Sequence, residues 1–438
     1  MKKTYFKEIT KESIGSEVEI QGWIKSKRVH STVVFIDLSD SSGTIQCVLA
    51  KENNEVLFET ISTVSIESAV TAVGTVRQSE NENLEIKLSE FTVVSPSKEM
   101  SPKIREDFDI FDEKYTDHIL SSRHLYVRNP KLIATLKARS EVVGYLHNWF
   151  RAEKFYELDA PVLTELPLYE DKTAIPLKVH NQDLYLTQCV GFYLESAVMG
   201  LEKCYNLGPS FRAEEGKSKR HLIEYWHIKG ELAWVNRDEI MATVEKLIFD
   251  LVTFARTELE EIGEAIGEGI TKDGVLPPYP RLPYPKAIEL LQGAGFEITF
   301  GQSLNDDEER FLGQQYDTPF WIVGNPKSIE PFPYCIDPDD PRLTMTADLI
   351  APNGYGELCG VAEKITDLQE LDARMRDKGK DPSANPKYDW VREMREVGFA
   401  PHGGFGMGLE RVMRWVFSHS HVKDFTAYPR VFGRRMRP

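Results

Sequence analysis

Apolar and polar positions alternate with a period of two in five short runs between Glu17 and about Val94: EVEIQGWI, TVVFIDLSD, TIQCVLA, SAVTAVGTV and LEIKLSEFTVV. Gly, Ser and Asn separate the runs. Period two places successive side chains on opposite faces of a strand, and five such strands at this spacing predict a small closed β-barrel over residues 1–96. Residues 97–120 lose the alternation and become polar, charged and Pro-punctuated, which predicts a linker. The period then changes. Apolar residues from Leu132 to Phe155 recur at helical spacing, so a long helix precedes the strand-like YELDAPVLT, where Pro161 favours a sheet edge. DLYLTQ, CYNLGPSFRAE, PFWIVG and TMTADLIAP read as further strands. Helices are expected from about Arg237 to Glu264, at KAIELLQGAG and at ITDLQELDARMRDKG. A Gly-rich strand-to-helix segment, HGGFGMGLERVMRWVFSH, closes the chain. This order predicts an α+β domain over residues 121–438 around a largely antiparallel sheet.

With 438 residues and 41% hydrophobic content the chain can bury two cores, in keeping with two domains. No run of 18 apolar residues and no apolar segment behind the basic N-terminus occur, so no membrane contact is expected and the cytoplasm is the expected location. Cys47, Cys189, Cys204, Cys335 and Cys359 are scattered without C-x-x-C spacing, which argues against a zinc site or a disulfide framework. The net charge of −16 repels polyanions, so nucleic-acid binding requires local basic patches. KSKR at Lys25 to Arg28 and RVFGRRMRP from Arg430 are two candidates, each equally readable as a solvated loop. The barrel strengthens the first. An oligonucleotide-binding barrel offers a strand face where Phe35 stacks on bases while Arg28 and Gln46 read their edges, although Phe35 also suits a core.

The stretch FRAEEGKSKRHLIEYWHIKGEL, Phe211 to Leu232, reads as a hairpin built around an anion. Arg212 and Glu214, two apart on a strand, would address one ligand, with Arg212 suited to a phosphate and Arg220 and His221 reaching a more distal one. A surface salt bridge is the alternative for Arg-x-Glu. Asp348 and Glu357 flank a strand, turn and strand, where two acids could hold Mg²⁺ bridging ATP phosphates or stand as exposed turn acids. HGGFGMGLER lets backbone pack flat against a planar ligand while Arg411 projects into the same space.

DAPVLT with its preceding helix, FRAE with RHLIEY, and GFGMGLER together resemble the three motifs of class II aminoacyl-tRNA synthetases. TQCVGFYLESAVMGLEKCYNLGPSFRAE and GYGELCGVAEK are similar to the aspartyl/asparaginyl branch. GWIKSKR, VFIDLSD and GTIQ are similar to its anticodon-binding barrel, so the likeness covers nearly the whole chain. It implies an antiparallel sheet with flanking helices behind an OB-type barrel, and a homodimer through the Pro161 region. The implied chemistry is attack of an amino-acid carboxylate on ATP, then transfer to the 3′ end of tRNA. By motif, Arg212 would hold the α-phosphate and substrate carboxylate, and Tyr225 would stack on adenine opposite Arg411. His221 and Arg220 would serve the distal phosphates and Glu214 the adenine and tRNA end, with Leu222 and Gly408 in the same ATP subsite. Asp348 and Glu357 would hold magnesium. Arg28, Phe35 and Gln46 would meet the anticodon, and Glu170, Gln188, Gly191, Glu195, Lys229 and Lys364 would form the amino-acid pocket.

The interval of APNGYG between the two magnesium acids and the triplet Tyr193-Leu194-Glu195 resemble the asparaginyl enzymes most. Four positions depart from that pattern. Gly191 stands where the family has glutamine, Lys229 where it has an acid, Lys364 where it has arginine, and Gly360-Val361-Ala362 where it has Gly-Gly-Ser. The resemblance therefore implies an asparagine–tRNA ligase type of enzyme. The departures leave open a paralogue that activates a non-standard acid such as a β-amino acid, or that makes an amide from the adenylate. A non-catalytic tRNA-binding regulator is a third reading. Lys229 could instead ion-pair with Glu195 or Glu170 in a pocket whose substrate is unchanged.

Overall fold

The alternating runs fold into β1 (Glu17–Val29), β2 (Val33–Ser39), β3 (Thr44–Ala50), β4 (Ala69–Gln78) and β5 (Leu84–Ser95). They close into a barrel of order β1-β2-β3-β5-β4 in the computed structural model, which describes residues 4–79, 81–98, 109–166, 171–215 and 219–436. One register of each run faces inward: Ile20, Ile24, Val34, Ile36, Leu38, Cys47, Leu49 and Ile86 are buried together. The other register leaves Phe35, Asp37 and Gln46 half-buried on the outside. A helix absent from the sequence expectation, Glu55–Thr63, follows β3 with the Asn54 side chain accepting from the Leu57 amide, and it adds Phe58 and Ile61 to the barrel core.

The chain divides into two compact units, Met1–Asp109 and Ile110–Pro438. The expected linker needs correction at its C-terminal end. Ile110, Phe111, Thr116, Ile119 and Leu120 are buried and Thr116–Ser121 is helical, so structure resumes before residue 121. Apolar residues hidden in a polar stretch account for the difference.

The second unit carries β6 (Tyr156–Glu157), β7 (Leu163–Thr164), β8 (Ile175–Val179), β9 (Gln182–Leu186), β10 (Lys203–Phe211) and β11 (Glu224–Ala233). After them come β12 (Arg281–Pro283), β13 (Phe320–Val323), β14 (Thr346–Ala351), β15 (Gly356–Lys364) and β16 (His402–Gly408). Eight form one sheet of order β12-β13-β14-β15-β16-β11-β10-β6, antiparallel except at its two end pairs. The others form a small sheet, β7-β9-β8. Pro161 therefore lies between two short strands of different sheets, not within one, because a residue without an amide hydrogen cannot continue the ladder.

The long helix forms at Pro130–Ala152, opened by Asn129 and a proline in its first turn, and it buries Leu132, Thr135, Ala138, Val142, Leu146 and Trp149 at three- and four-residue intervals. It ends before Phe155 because Lys154 takes a left-handed conformation, φ 66°. The helix expected to Glu264 breaks at Leu259 into Arg237–Glu258 and Glu260–Ile266. The first of these starts with a reciprocal cap between Asn236 and Glu239.

At the centre of the sheet β11 and β16 pair with Lys229 opposite Gly406 and Glu231 opposite Gly404. A Cβ at position 404 would lie 2.3 Å from Glu231 Oε2 and 2.4 Å from the Gly230 carbonyl oxygen. Gly404→Ala is therefore expected to destabilise the second unit by about 1–3 kcal/mol through overpacking. Gly43→Ala, in open space in the first unit, should leave the unfolding midpoint unmoved. Thermal unfolding followed by circular dichroism checks this, and equal midpoints for both variants would contradict it.

Candidate active site

The hairpin β10–β11 ends at Phe211, so Arg212 and Glu214 lie just beyond the strand rather than on one strand face. They remain neighbours: Arg212 Nη1 donates to Glu214 Oε1 at 3.3 Å. Arg212, Glu214, Arg220, His221, Leu222, Tyr225, Glu357, Gly408 and Arg411 all line one cavity of about 100 Å³ beside the loop that returns to β11. Arg411, in the first turn of the helix Leu409–Val416, donates through Nη1 to Glu357 Oε2 at 3.0 Å and through Nη2 to His221 Nε2 at 2.8 Å. A guanidinium has only donors, so His221 Nε2 accepts and the imidazole is neutral. Its pKa is lowered in agreement, by desolvation and then by Arg411. Arg220 is less available than its motif suggests. Its guanidinium ion-pairs with Asp306 at 2.9 Å and Glu309 at 2.8 Å, both on the helix Asp306–Gly313.

Arg212, Glu214, His227, Glu357 and Gly406 also line a second, larger cavity of about 620 Å³. The two spaces meet at these five residues. On one side of the larger cavity, Asp348 and Glu357 approach each other across the β14–β15 turn. A Cβ at Gly360 would lie 3.4 Å from Asp348 Oδ1 and 3.9 Å from Glu357 Oε1, so both carboxylates address the same small volume. Asn325 Nδ2 donates to Asp348 Oδ2 at 2.7 Å and to Glu330 Oε1 at 2.9 Å. Desolvation, then Glu357 and Glu330, push Asp348 well above the usual carboxylate range, and desolvation raises Glu330 to about 7. Glu357 is held low although desolvation opposes it, because Arg411, Arg220 and Arg212 surround it. This wall holds more acid than it can ionise.

On the opposite side, Tyr225, His227, Lys229 and Glu231 follow one another on a single face of β11. His227, Lys229 and Glu231 stand opposite Gly408, Gly406 and Gly404 of β16. A Cβ at 406 would come within 2.9 Å of His227 Nε2 and 3.3 Å of Lys229 Nζ, so glycine there makes room for both side chains. Desolvation and the charges of Lys229, Arg212 and Arg411 hold His227 well below the usual imidazole range, so it is neutral. Lys229 Nζ donates to Cys189 Sγ at 2.9 Å. Lys364 Nζ lies 2.8 Å from Glu231 Oε2 and 3.1 Å from Glu195 Oε1. Glu195 also meets Arg395 Nη2 at 2.7 Å and His402 Nε2 at 3.5 Å.

Of the expected amino-acid pocket, Gln188, Lys229 and Lys364 line the larger cavity, and Gln188 Nε2 donates to Thr173 Oγ1 at 2.8 Å. Gly191 and Glu195 do not. Gly191 opens the helix Gly191–Leu201 and gives its amide to Cys189 Sγ, while Glu195, one helical turn on, is held behind the wall by Lys364, Arg395 and His402. Nor does Glu195 pair with Lys229. Glu170 lies outside the described residues. Glu231, Glu309, Glu330 and Asn325 escaped the sequence reading. Glu231 was within reach of it, being in phase with Lys229.

On the barrel, Arg28, Phe35 and Gln46 come together on one outer face. Arg28 Cζ lies 5.5 Å from the Phe35 ring centre. With its amide oriented to satisfy both neighbours, Gln46 accepts from Arg28 Nη2 at 2.6 Å and donates to Glu85 Oε2 at 3.2 Å. The second basic candidate is partly tied down: Arg430 bridges Glu224, and Arg434 pairs with Asp117.

A largely antiparallel sheet thus joins an arginine-lined cavity to a cavity holding buried charges of both signs. Residues 116–431 match the family of class II tRNA synthetases for D, K and N, and residues 18–94 match the OB-fold nucleic acid binding domain. The chain belongs to this synthetase family. Asparagine–tRNA ligases of Thermococcus gammatolerans and Thermococcus kodakarensis are each 34% identical to it over 99% of both chains. The crystal structure of asparaginyl-tRNA synthetase from Pyrococcus horikoshii complexed with asparaginyl-adenylate superposes at a TM-score of 0.91, with 31% identity and all of both chains covered. Asparaginyl-tRNA synthetase of Entamoeba histolytica superposes at 0.84, with 25% identity over 97% of each.

The crowded acids set a pH signature. Glu330 titrates near 7 in the folded chain, above its ordinary 4.5, so stability falls as pH rises between these values and stays lost above them. Glu330→Gln keeps an acceptor for Asn325 and removes that loss. Its gain over the parent chain should be small at pH 5 and reach about 1–2 kcal/mol at pH 8. Denaturant titrations at the two pH values read the difference, and a gain that is larger at pH 5 would refute the assignment.

Proposed function

We propose that the chain activates an amino acid with ATP and Mg²⁺ and transfers it to the 3′ end of a tRNA, acting in the cytoplasm as a homodimer. The observation that carries this reading is the junction of the two cavities at Arg212. A nucleotide in the smaller cavity and an amino acid in the larger one would meet there, its carboxylate beside the α-phosphate. Arg212 would neutralise both groups, and catalysis would consist of positioning and charge stabilisation. Tyr225 and Arg411 would enclose the adenine. His221, being neutral, would serve the distal phosphates through hydrogen bonding, with Arg220 adding charge from behind. Asp348 and Glu357 fit a magnesium ion, since Mg²⁺ takes one or two carboxylates together with substrate phosphates. Bound there, the ion would supply the charge that lets the crowded acids ionise.

Arg28, Phe35 and Gln46 on the barrel face favour tRNA over a small amine as acceptor. Tyr156 and Leu163, exposed apolar residues on either side of Pro161, support the homodimer. Asparagine, the amino acid of the relatives' names, is the first to test.

Two measurements test the proposal. Arg212→Ala should lower kcat/KM for amino-acid-dependent ATP–pyrophosphate exchange about 10²–10³-fold, as expected for loss of a donor to developing charge. Exchange at parental rate would sink the assignment of the junction. Phe35→Ala should raise the KM for tRNA in the charging reaction about 10-fold, the usual weight of one base stack. A KM within twofold of the parent chain's would remove the barrel face from tRNA recognition.

A further inference from the structure

Asp348 and Glu357 each offer a cation one oxygen, not two. Asp348 Oδ2 accepts from Asn325 Nδ2 at 2.7 Å, and Glu357 Oε2 accepts from Arg411 Nη1 at 3.0 Å. The remaining atoms, Asp348 Oδ1 and Glu357 Oε1, are the two that a Cβ at Gly360 would meet, at 3.4 and 3.9 Å. Both residues are half-buried on the wall of the larger cavity. Among the described residues no donor reaches either of these oxygens, and neither is sealed from solvent.

The two caps differ in permanence. Arg411 lines the smaller cavity and also holds His221, so a bound nucleotide competes for it. Asn325 is 5% exposed and is tied to the segment that carries Asp348. Gly324, φ 81°, turns the chain off β13 and gives its amide to the Thr346 carbonyl at 3.0 Å. The Asn325 amide then donates to Thr346 Oγ1 at 3.2 Å. Its carbonyl accepts from the Thr344 amide at 3.0 Å and from Thr344 Oγ1 at 2.9 Å. The side chain has two carboxylates as neighbours, so its nitrogen must face them. One hydrogen goes to Asp348 and the other to Glu330 Oε1 at 2.9 Å, which fixes the plane of the amide.

Divalent cations differ in what they ask of such a pair. Ca²⁺ takes about six to eight oxygens and accepts a carboxylate through both of its atoms, whereas Mg²⁺ keeps several waters and takes one or two carboxylates together with phosphates. We propose, resting on the magnesium assignment in the adenylate-forming reading above, that Asn325 determines the metal specificity of this site. By occupying Asp348 Oδ2 it confines the acid to a single available oxygen, which suits Mg²⁺ and withholds from Ca²⁺ the two-atom grip that it favours. Asn325 acts through Asp348 and is a positioning residue, and Glu330 anchors its amide from behind.

The test is calorimetric titration of the full chain with α,β-methylene-ATP in saturating Mg²⁺, in saturating Ca²⁺ and in EDTA. The parent chain should bind the analogue about tenfold more tightly with Mg²⁺ than with Ca²⁺, and Asn325→Ala should bring the two affinities to within about twofold of each other. Affinity in EDTA should be the same for variant and parent, a split that general damage to the site would not give. Asn325→Leu keeps the volume of the side chain and gives the same readout if alanine disturbs folding. Variants that keep the parent's ratio overturn the inference and leave the synthetase reading intact. So does a parent chain that binds equally well with the two cations and more weakly in EDTA. An affinity that neither cation changes removes the ion from Asp348 and Glu357 and overturns that assignment as well.

Discussion

The ladder between β11 and β16 is the constraint on which the site depends. Three polar side chains, His227, Lys229 and Glu231, stand in a row on the central strand, and each faces a glycine across the ladder. A side chain at 404 or 406 would occupy the space that a carboxylate or an ammonium now fills. The glycines of HGGFGMG thus do more than let backbone approach a planar ligand. They let a sheet interior, normally filled by apolar side chains, hold ionisable groups at fixed depth, and the antiparallel register sets the order in which a ligand meets them.

Around that ladder the charges are sorted by neighbourhood. Arg212, Arg220 and Arg411 converge on the smaller cavity and hold Glu357 low, while both nearby histidines are neutral. Asp348 and Glu330 are pushed upward together, by desolvation first, although Lys378 and Arg374 act against the rise at Glu330. Two acids flanking one turn therefore differ in protonation for the reason that separates coupled carboxylates generally: like charges in a shared low-dielectric space cannot all ionise.

Much of this was legible in the sequence. Strict alternation located all five barrel strands, and the α+β sheet followed from the order of motifs. The nine residues assigned to a nucleotide subsite share one cavity, because sequence motifs fix short-range geometry around a hairpin and a strand-to-helix turn. Legibility failed where tertiary packing decides. The helix Asp306–Gly313 is charged and short, so nothing in its periodicity announced that Glu309 would reach Arg220. Gly191 and Glu195 belong to a helix whose buried face turns away from the cavity, whereas Lys229 and Glu231 belong to a strand, where period two keeps them in phase. The element type decided which residues could address a ligand.

The rear of the larger cavity bears on how much freedom its wall retains. Lys364 is held between Glu195 and Glu231, and Arg395 and His402 close the far side of Glu195, all within the protein interior. Desolvating such a network is costly unless each charge is met, and here the two carboxylates keep Lys364 above its usual range against the opposing effect of burial. A lysine so engaged cannot offer the planar, two-pronged grip of an arginine. It holds Glu231 in place through Oε2. Lys229 and Glu231 thus stand at successive levels of β11, the first donating to Cys189 Sγ and the second held by Lys364, so the register of the strand fixes the order of the two groups along the cavity wall.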